Sequence, residues 1–180
     1  MKTHLARFHR HFLAVVALAF ALSIPATAMA DLITLALPGI QGNVTAKGQE
    51  GTIEVMSLSQ GSTAVPPSGT GRENTSPVFT DFNILKRLDS SSPSLFLALV
   101  KGSIFKNAVI TFLHETASGF VKFFSITLNN VSLTQFQASD SEGTVFVGNE
   151  QLGLHYDQIQ LKDELTGQSA CWNLAQVRTC

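Results

Sequence analysis

Charge is scarce in this chain of 180 residues: Asp, Glu, Lys and Arg together make up 14% of it, and no block of like charge occurs. A formal net charge of −1 with no basic cluster excludes a nucleic-acid surface built on phosphate neutralisation. Two cysteines are too few for a multi-disulfide scaffold or a four-cysteine zinc site. Beyond residue 30 no apolar run approaches the roughly 20 residues that a membrane-spanning helix needs.

Catalytic signatures are missing too. There is no G-x-S-x-G elbow, no G-x-x-x-x-G-K-[ST] phosphate loop and no G-x-G-x-x-G dinucleotide turn. The only histidines after residue 30 are His114 and His155, each inside a strand-like segment and neither in a metal-ligand spacing. The acidic pairs Asp140 with Glu142 and Asp163 with Glu164 fall in polar turns and read as solvated surface. No catalytic, cofactor-binding or metal-ligating residue is therefore assigned. An enzyme would have to rest on His114 or His155 with neighbouring acids.

What is present begins with a leader. Lys2, Arg7 and Arg10 precede an apolar run from Leu13 to Ile24; Pro25 follows, then the small-residue site Ala28, Met29, Ala30. This three-part layout predicts a signal peptide over 1–30, cleaved between Ala30 and Asp31, and hence a periplasmic or extracellular product. Cleavage leaves nine basic and thirteen acidic residues, no membrane span, and a chain of single-domain length over 31–180.

Within 31–180 apolar residues recur with period two, the mark of half-buried strands. Ile33, Leu35 and Leu37 share a face, as do Ile53, Val55 and Ser57. Ala108, Ile110, Phe112 and His114 oppose Val109, Thr111 and Leu113, and Phe120, Lys122, Phe124, Ile126 and Leu128 form another row. The segment 151–161 reads as one more long strand. Eight or nine strands in one domain are expected. A polar, Gly- and Pro-rich stretch at 61–77, with Gly61, Pro66, Pro67, Gly71, Arg72 and Pro77, is a long connection of the kind that is usually functional or disordered.

One helix interrupts this pattern, at about 93–101. Ser92 is the expected N-cap, Pro93 suits the first turn, and Gly102 suits the left-handed C-terminal cap. The apolar residues from Leu95 to Val100 cover its whole circumference, so it is expected to be buried on more than one side, by a sheet and by a neighbouring subunit. Cys171 and Cys180 are a candidate disulfide closing about ten residues, which chain entropy values at roughly 2.5–3 kcal/mol. A reactive thiol or a bond between chains are the other uses open to them.

The order of these features resembles the hemolysin-coregulated protein (Hcp) family, the tube component of bacterial type VI secretion systems. Ile40, Gln41 and Gly42, then Ile53, Glu54 and Val55, then Ser57 to Gly61 are similar to its opening. Lys86, Asp89, Ser92, Pro93, Leu95 and Gly102 fall in register with its central block, and Trp172 and Asn173 with its close. The resemblance implies a mainly β fold, a compact barrel of two antiparallel sheets with one flanking helix, and no catalytic residues. It also implies self-assembly into rings, six-membered in the family, that can stack into tubes and hold small protein cargo, with the stretch at 61–77 as the candidate assembly loop that reaches a neighbouring ring. An exported binding module for a small partner or ligand is the alternative reading.

Overall fold

The expected β-rich pattern is realised, with strands shorter or longer than the alternation suggested. The computed structural model of the protein describes residues 31–64, 77–140 and 148–180. The expected leader with Ala30, and Pro66, Pro67, Gly71 and Arg72 of the candidate loop, lie outside the described residues. In chain order the elements are β1 (Leu32–Ala36), β2 (Ile53–Val55), β3 (Ser57–Ser59), β4 (Ser62–Thr63), β5 (Val78–Phe79), β6 (Phe82–Arg87) and α1 (Ser92–Val100). They continue as β7 (Ile104–Thr116), β8 (Gly119–Ser139), β9 (Asn149–His155), β10 (Gln158–Asp163), β11 (Ser169–Asn173) and β12 (Arg178–Thr179).

Every ladder is antiparallel. Ten strands share one sheet, in the order β12-β11-β10-β8-β7-β1-β2, with β9, β6 and β3 continuing from the far half of β8. β4 and β5 form a separate pair. The long β8 serves both halves: residues 124–129 pair with β10, and residues 132–139 pair with β9. On the opposite side the chain passes from β2, paired with β1, to β3, paired with β6. Only Met56 separates those two strands, and its N–H donates to Leu85 O at 2.8 Å. The barrel is thus joined at Met56 by covalent continuity, and its ladders do not form a closed ring. Leu35, Ile53, Ile84, Leu95, Ile110, Leu128, Val131, Leu152 and Leu154 fill the space between the layers.

The differences from the expected strands arise where the backbone departs from regular alternation. A β-bulge adds a residue and exchanges the inward and outward faces beyond it. Ile53 and Val55 point inward, but after Met56 the partly buried residue is Leu58, not Ser57. Between β7 and β8 the register shifts after Phe112, with Phe123 of β8 as the extra residue, and in β7 Leu113 is buried and His114 exposed. At Asn130, with φ +52°, β8 continues past the expected row, and the inward side passes from Ile126 and Leu128 to Val131 and Leu133. Conversely, 151–161 is two strands, broken at Tyr156 and Asp157.

A small polar tie fastens β10 to β8. Glu164 accepts from Lys162 Nζ at 2.7 Å and Ser125 Oγ at 2.8 Å, and pairs with Lys122 Nζ at 3.2 Å. The hydrogen bond from Lys162, then that from Ser125, hold its carboxyl down at about 2, against an ordinary value of 4.5. A depressed folded pKa contributes stability above the ordinary value, and that contribution is lost as pH falls through the folded one. The thermal midpoint of the wild type should therefore fall more steeply than that of Glu164→Gln between pH 4.5 and about 2. Parallel curves in a melting series across that range would contradict this role.

Candidate assembly surface

The inward face of β6 reads Phe82, Ile84, Lys86, and that of β9 reads Glu150, Leu152, Leu154. Antiparallel register sets them opposite one another as Phe82 with Leu154, Ile84 with Leu152, and Lys86 with Glu150. Alternation therefore sends a lysine and a glutamate to the core, where both side chains are fully buried. Lys86 Nζ meets Glu150 Oε1 at 2.5 Å, Arg87 O at 2.7 Å, Asp89 Oδ1 at 2.9 Å and Ser92 Oγ at 3.3 Å. An ammonium out of water requires this saturation by acceptors.

The same cluster sets the start of α1. Burial acts to raise the Asp89 carboxyl, but hydrogen bonds from Ser91 and Lys86 together hold it below its ordinary value. Asp89 Oδ1 accepts from the Ser91 N–H at 2.9 Å, an Asx-type turn at the positive end of the helix dipole. Ser91, not Ser92, occupies the N-cap position, with no side-chain cap bond. The Ser92 hydroxyl turns back instead, accepting from the Asp89 N–H at 3.0 Å and from Lys86, so the buried ammonium takes the oxygen expected to cap the helix. At the other end Gly102, at φ +60°, donates to Leu99 O, and Ser103 donates to Ala98 O. That is a Schellman close, with Lys101 at the C-cap.

Anchored this way, α1 buries only a stripe of Ser92, Leu95 and Ala98. Its outer side carries Phe96, Leu97 and Val100, each about half exposed, and Ile104 just beyond is 73% exposed. Phe96 also rests edge-on against Phe136, with ring centres 5.8 Å apart. The barrel therefore covers one side of the all-apolar helix, and the remainder forms a contiguous outward apolar surface.

Other expected residues are elsewhere. Gly61 is tied to Thr80 by paired hydrogen bonds, and Pro77 lies next to β5. Cys171 and Cys180 form a disulfide across β11 and the chain after β12, with Cα atoms 5.4 Å apart. His114 Nδ1 is 2.7 Å from Asp31, and His155 Nδ1 is 3.0 Å from Asp81; the two pairs are on different strands and share no residue. Among the described residues no group of three or more His, Cys, Asp or Glu could hold a metal, and no helix is long and apolar enough to cross a membrane. Glu150 was not singled out in the sequence. A lone glutamate carries no local signal, and only the β6–β9 register shows what it meets.

These features define a mainly antiparallel β protein, barrel-like, with one flanking helix among the described residues, anchored by a buried ion pair. The family described as "Type VI secretion system effector, Hcp" matches residues 34–162, and the chain belongs to it. Among solved structures, Hcp1 from Salmonella typhimurium superposes with a TM-score of 0.71 at 18% identity, over 84% of this chain and all of that one. Hcp1 from E. coli EAEC 042 gives 0.68 at 24% identity, over 82% and 99%. The secreted protein Hcp3 from Pseudomonas aeruginosa gives 0.60 at 17%, over 81% and 98%. At these identities the likeness is one of fold. No curated protein matches the chain.

Removing one partner of a buried ion pair strands the other, at a cost of about 3–5 kcal/mol. Glu150→Ala should lose that much in urea unfolding, whereas Lys86→Met with Glu150→Leu should recover most of it. A single variant within about 1 kcal/mol of wild type would show that the pair is not needed.

Proposed function

We propose that this protein is an exported, non-enzymatic member of the Hcp family that assembles into ring-shaped homo-oligomers through the apolar outer face of α1. The observation that carries this reading is the surface of Phe96, Leu97, Val100 and Ile104, which one chain leaves in water. Contiguous apolar surface of this kind favours a protein contact. A head-to-tail contact between two different faces closes into a ring when its rotation permits. Family membership supports the same reading, as does the disulfide, which suits an oxidising compartment.

In this reading residues 1–30 are a leader removed between Ala30 and Asp31. The loop around 61–77 reaches a neighbouring ring, and the lumen has room for a small protein. The second reading, a binding module acting outside a type VI machine, draws on the leader, because sheath and baseplate work in the cytoplasm.

The test is to express the chain with its leader, recover it from the periplasm, and measure its terminus by intact mass and its size by light scattering. A chain beginning at Asp31, in particles of about six copies, is expected. Val100→Asp with Ile104→Asp should dissociate them to monomers while the circular dichroism spectrum stays unchanged. Particles that persist would remove α1 from the contact, and a wild-type monomer at every concentration would end the ring reading. An uncleaved leader would end the export reading alone.

A further inference from the structure

The segment that follows β11 is held to the sheet by little besides sulfur. β12 is two residues long, and its ladder consists of Thr179 opposite Trp172 and Arg178 opposite Asn173. Val177 enters it at φ +51°, a left-handed conformation that a β-branched side chain resists. Val177, Arg178 and Thr179 are exposed, so no buried apolar contact offsets that resistance. The local hydrogen bonds stay within the segment or at its root: Gln176 N–H to Asn173 Oδ1, Arg178 Nε to Gln176 Oε1, and Leu174 N–H to Asp157 O. One register step beyond Thr179, Cys180 is bonded to Cys171. β12 also borders a cleft of about 600 Å³, whose apolar walls include Leu58, Phe79, Ile126, Ile159 and Trp172 and whose rim includes Cys171 and Thr179.

We propose that the Cys171–Cys180 disulfide is a redox latch on this edge of the sheet. Closed, it holds β12 against β11 and keeps one wall of the cleft beside Trp172. Open, it frees the segment after Leu174, makes β11 the outer strand and uncovers Trp172. Opening requires a dithiol donor. One donor thiolate attacks a protein sulfur, the S–S bond breaks, and the second donor thiol resolves the mixed disulfide. Two electrons and two protons pass to the protein, Cys171 and Cys180 become thiols, and the donor leaves as its own disulfide. The chain is therefore made with the latch open in a reducing compartment, and on reaching an oxidising one it closes by exchange with a disulfide donor, which takes the two electrons and two protons and leaves as a dithiol. An unpaired β11 offers free backbone groups to any extended segment, so the latch also decides when that edge is protected. None of this depends on whether the protein forms rings.

Amide hydrogen exchange on the full chain tests the latch, with and without dithiothreitol. The loop-closure entropy of about ten residues corresponds to roughly a hundredfold more frequent opening. Exchange of the amides that join β11 to β12 should quicken by about that factor on reduction, while the interior of β7 and β8 keeps its protection. Trp172 is the only tryptophan, so acrylamide quenching of its fluorescence should rise in parallel. The Cys171→Ser, Cys180→Ser double variant should behave as the reduced protein without reductant. Unchanged exchange at β11 and β12 would show that the edge holds without the bond. Protection lost throughout β7 and β8 would make the disulfide a general staple. Either result overturns the proposal.

Discussion

A lysine on the inward face of a strand has to be neutralised where it lies, and much of this structure follows from how that is done. Lys86 is the third inward residue of β6, after Phe82 and Ile84, so its ammonium enters the core with the aliphatic rungs. Glu150 neutralises it from the paired strand, and Asp89, Ser92 and a backbone carbonyl complete its acceptors. Those acceptors come from β9, from the turn after β6 and from the first turn of α1. One buried charge thereby fixes the register of two strands and the point where the helix begins. An apolar pair would hold the sheet as firmly but would not select the position of the helix start.

The anchor accounts for an exposed apolar surface that would otherwise be a defect. With its N-terminus tied to Lys86 and its C-terminus closed at Gly102, α1 has little freedom to roll and bury more of itself. Leu95 and Ala98 go inward, and Phe96, Leu97 and Val100 remain in water. The capping geometry therefore links the core to the surface on which assembly is proposed. The opposite extension of the sheet, β10-β11-β12, is built differently. Its outermost strand is too short to hold itself and is closed by a covalent bond, a solution open only to a chain that meets an oxidising environment.

The mainly β class, the helix and its glycine stop were legible in the sequence, because each rests on periodicity or on contacts between residues close in the chain, and the central block from Lys86 to Gly102 was legible through its resemblance to the family. Strand limits were less so. The inward rows of 53–58, 108–114 and 120–133 each changed parity partway. At Phe112 and Leu113 the ladder admits a bulge, at Asn130 the backbone turns left-handed, and at Met56 one strand ends and the next begins, with no glycine to announce any of them. Ser92 was expected to cap the helix because serine before proline commonly does. A buried ammonium competes for that hydroxyl, and its presence cannot be inferred from neighbours in sequence.

By itself the sequence determined which segments alternate, where the one apolar helix stops, and that two cysteines nine positions apart could meet. All of these are settled by local sterics, periodicity and short loop closure. Tertiary structure decided that Glu150 faces Lys86 across 64 residues, that one strand of 21 residues serves both halves of the sheet, and which side of the helix faces outward. Those outcomes depend on strand register and on the desolvation of a charge. Both are properties of segments brought together from distant parts of the chain, and neither is carried by any one of them.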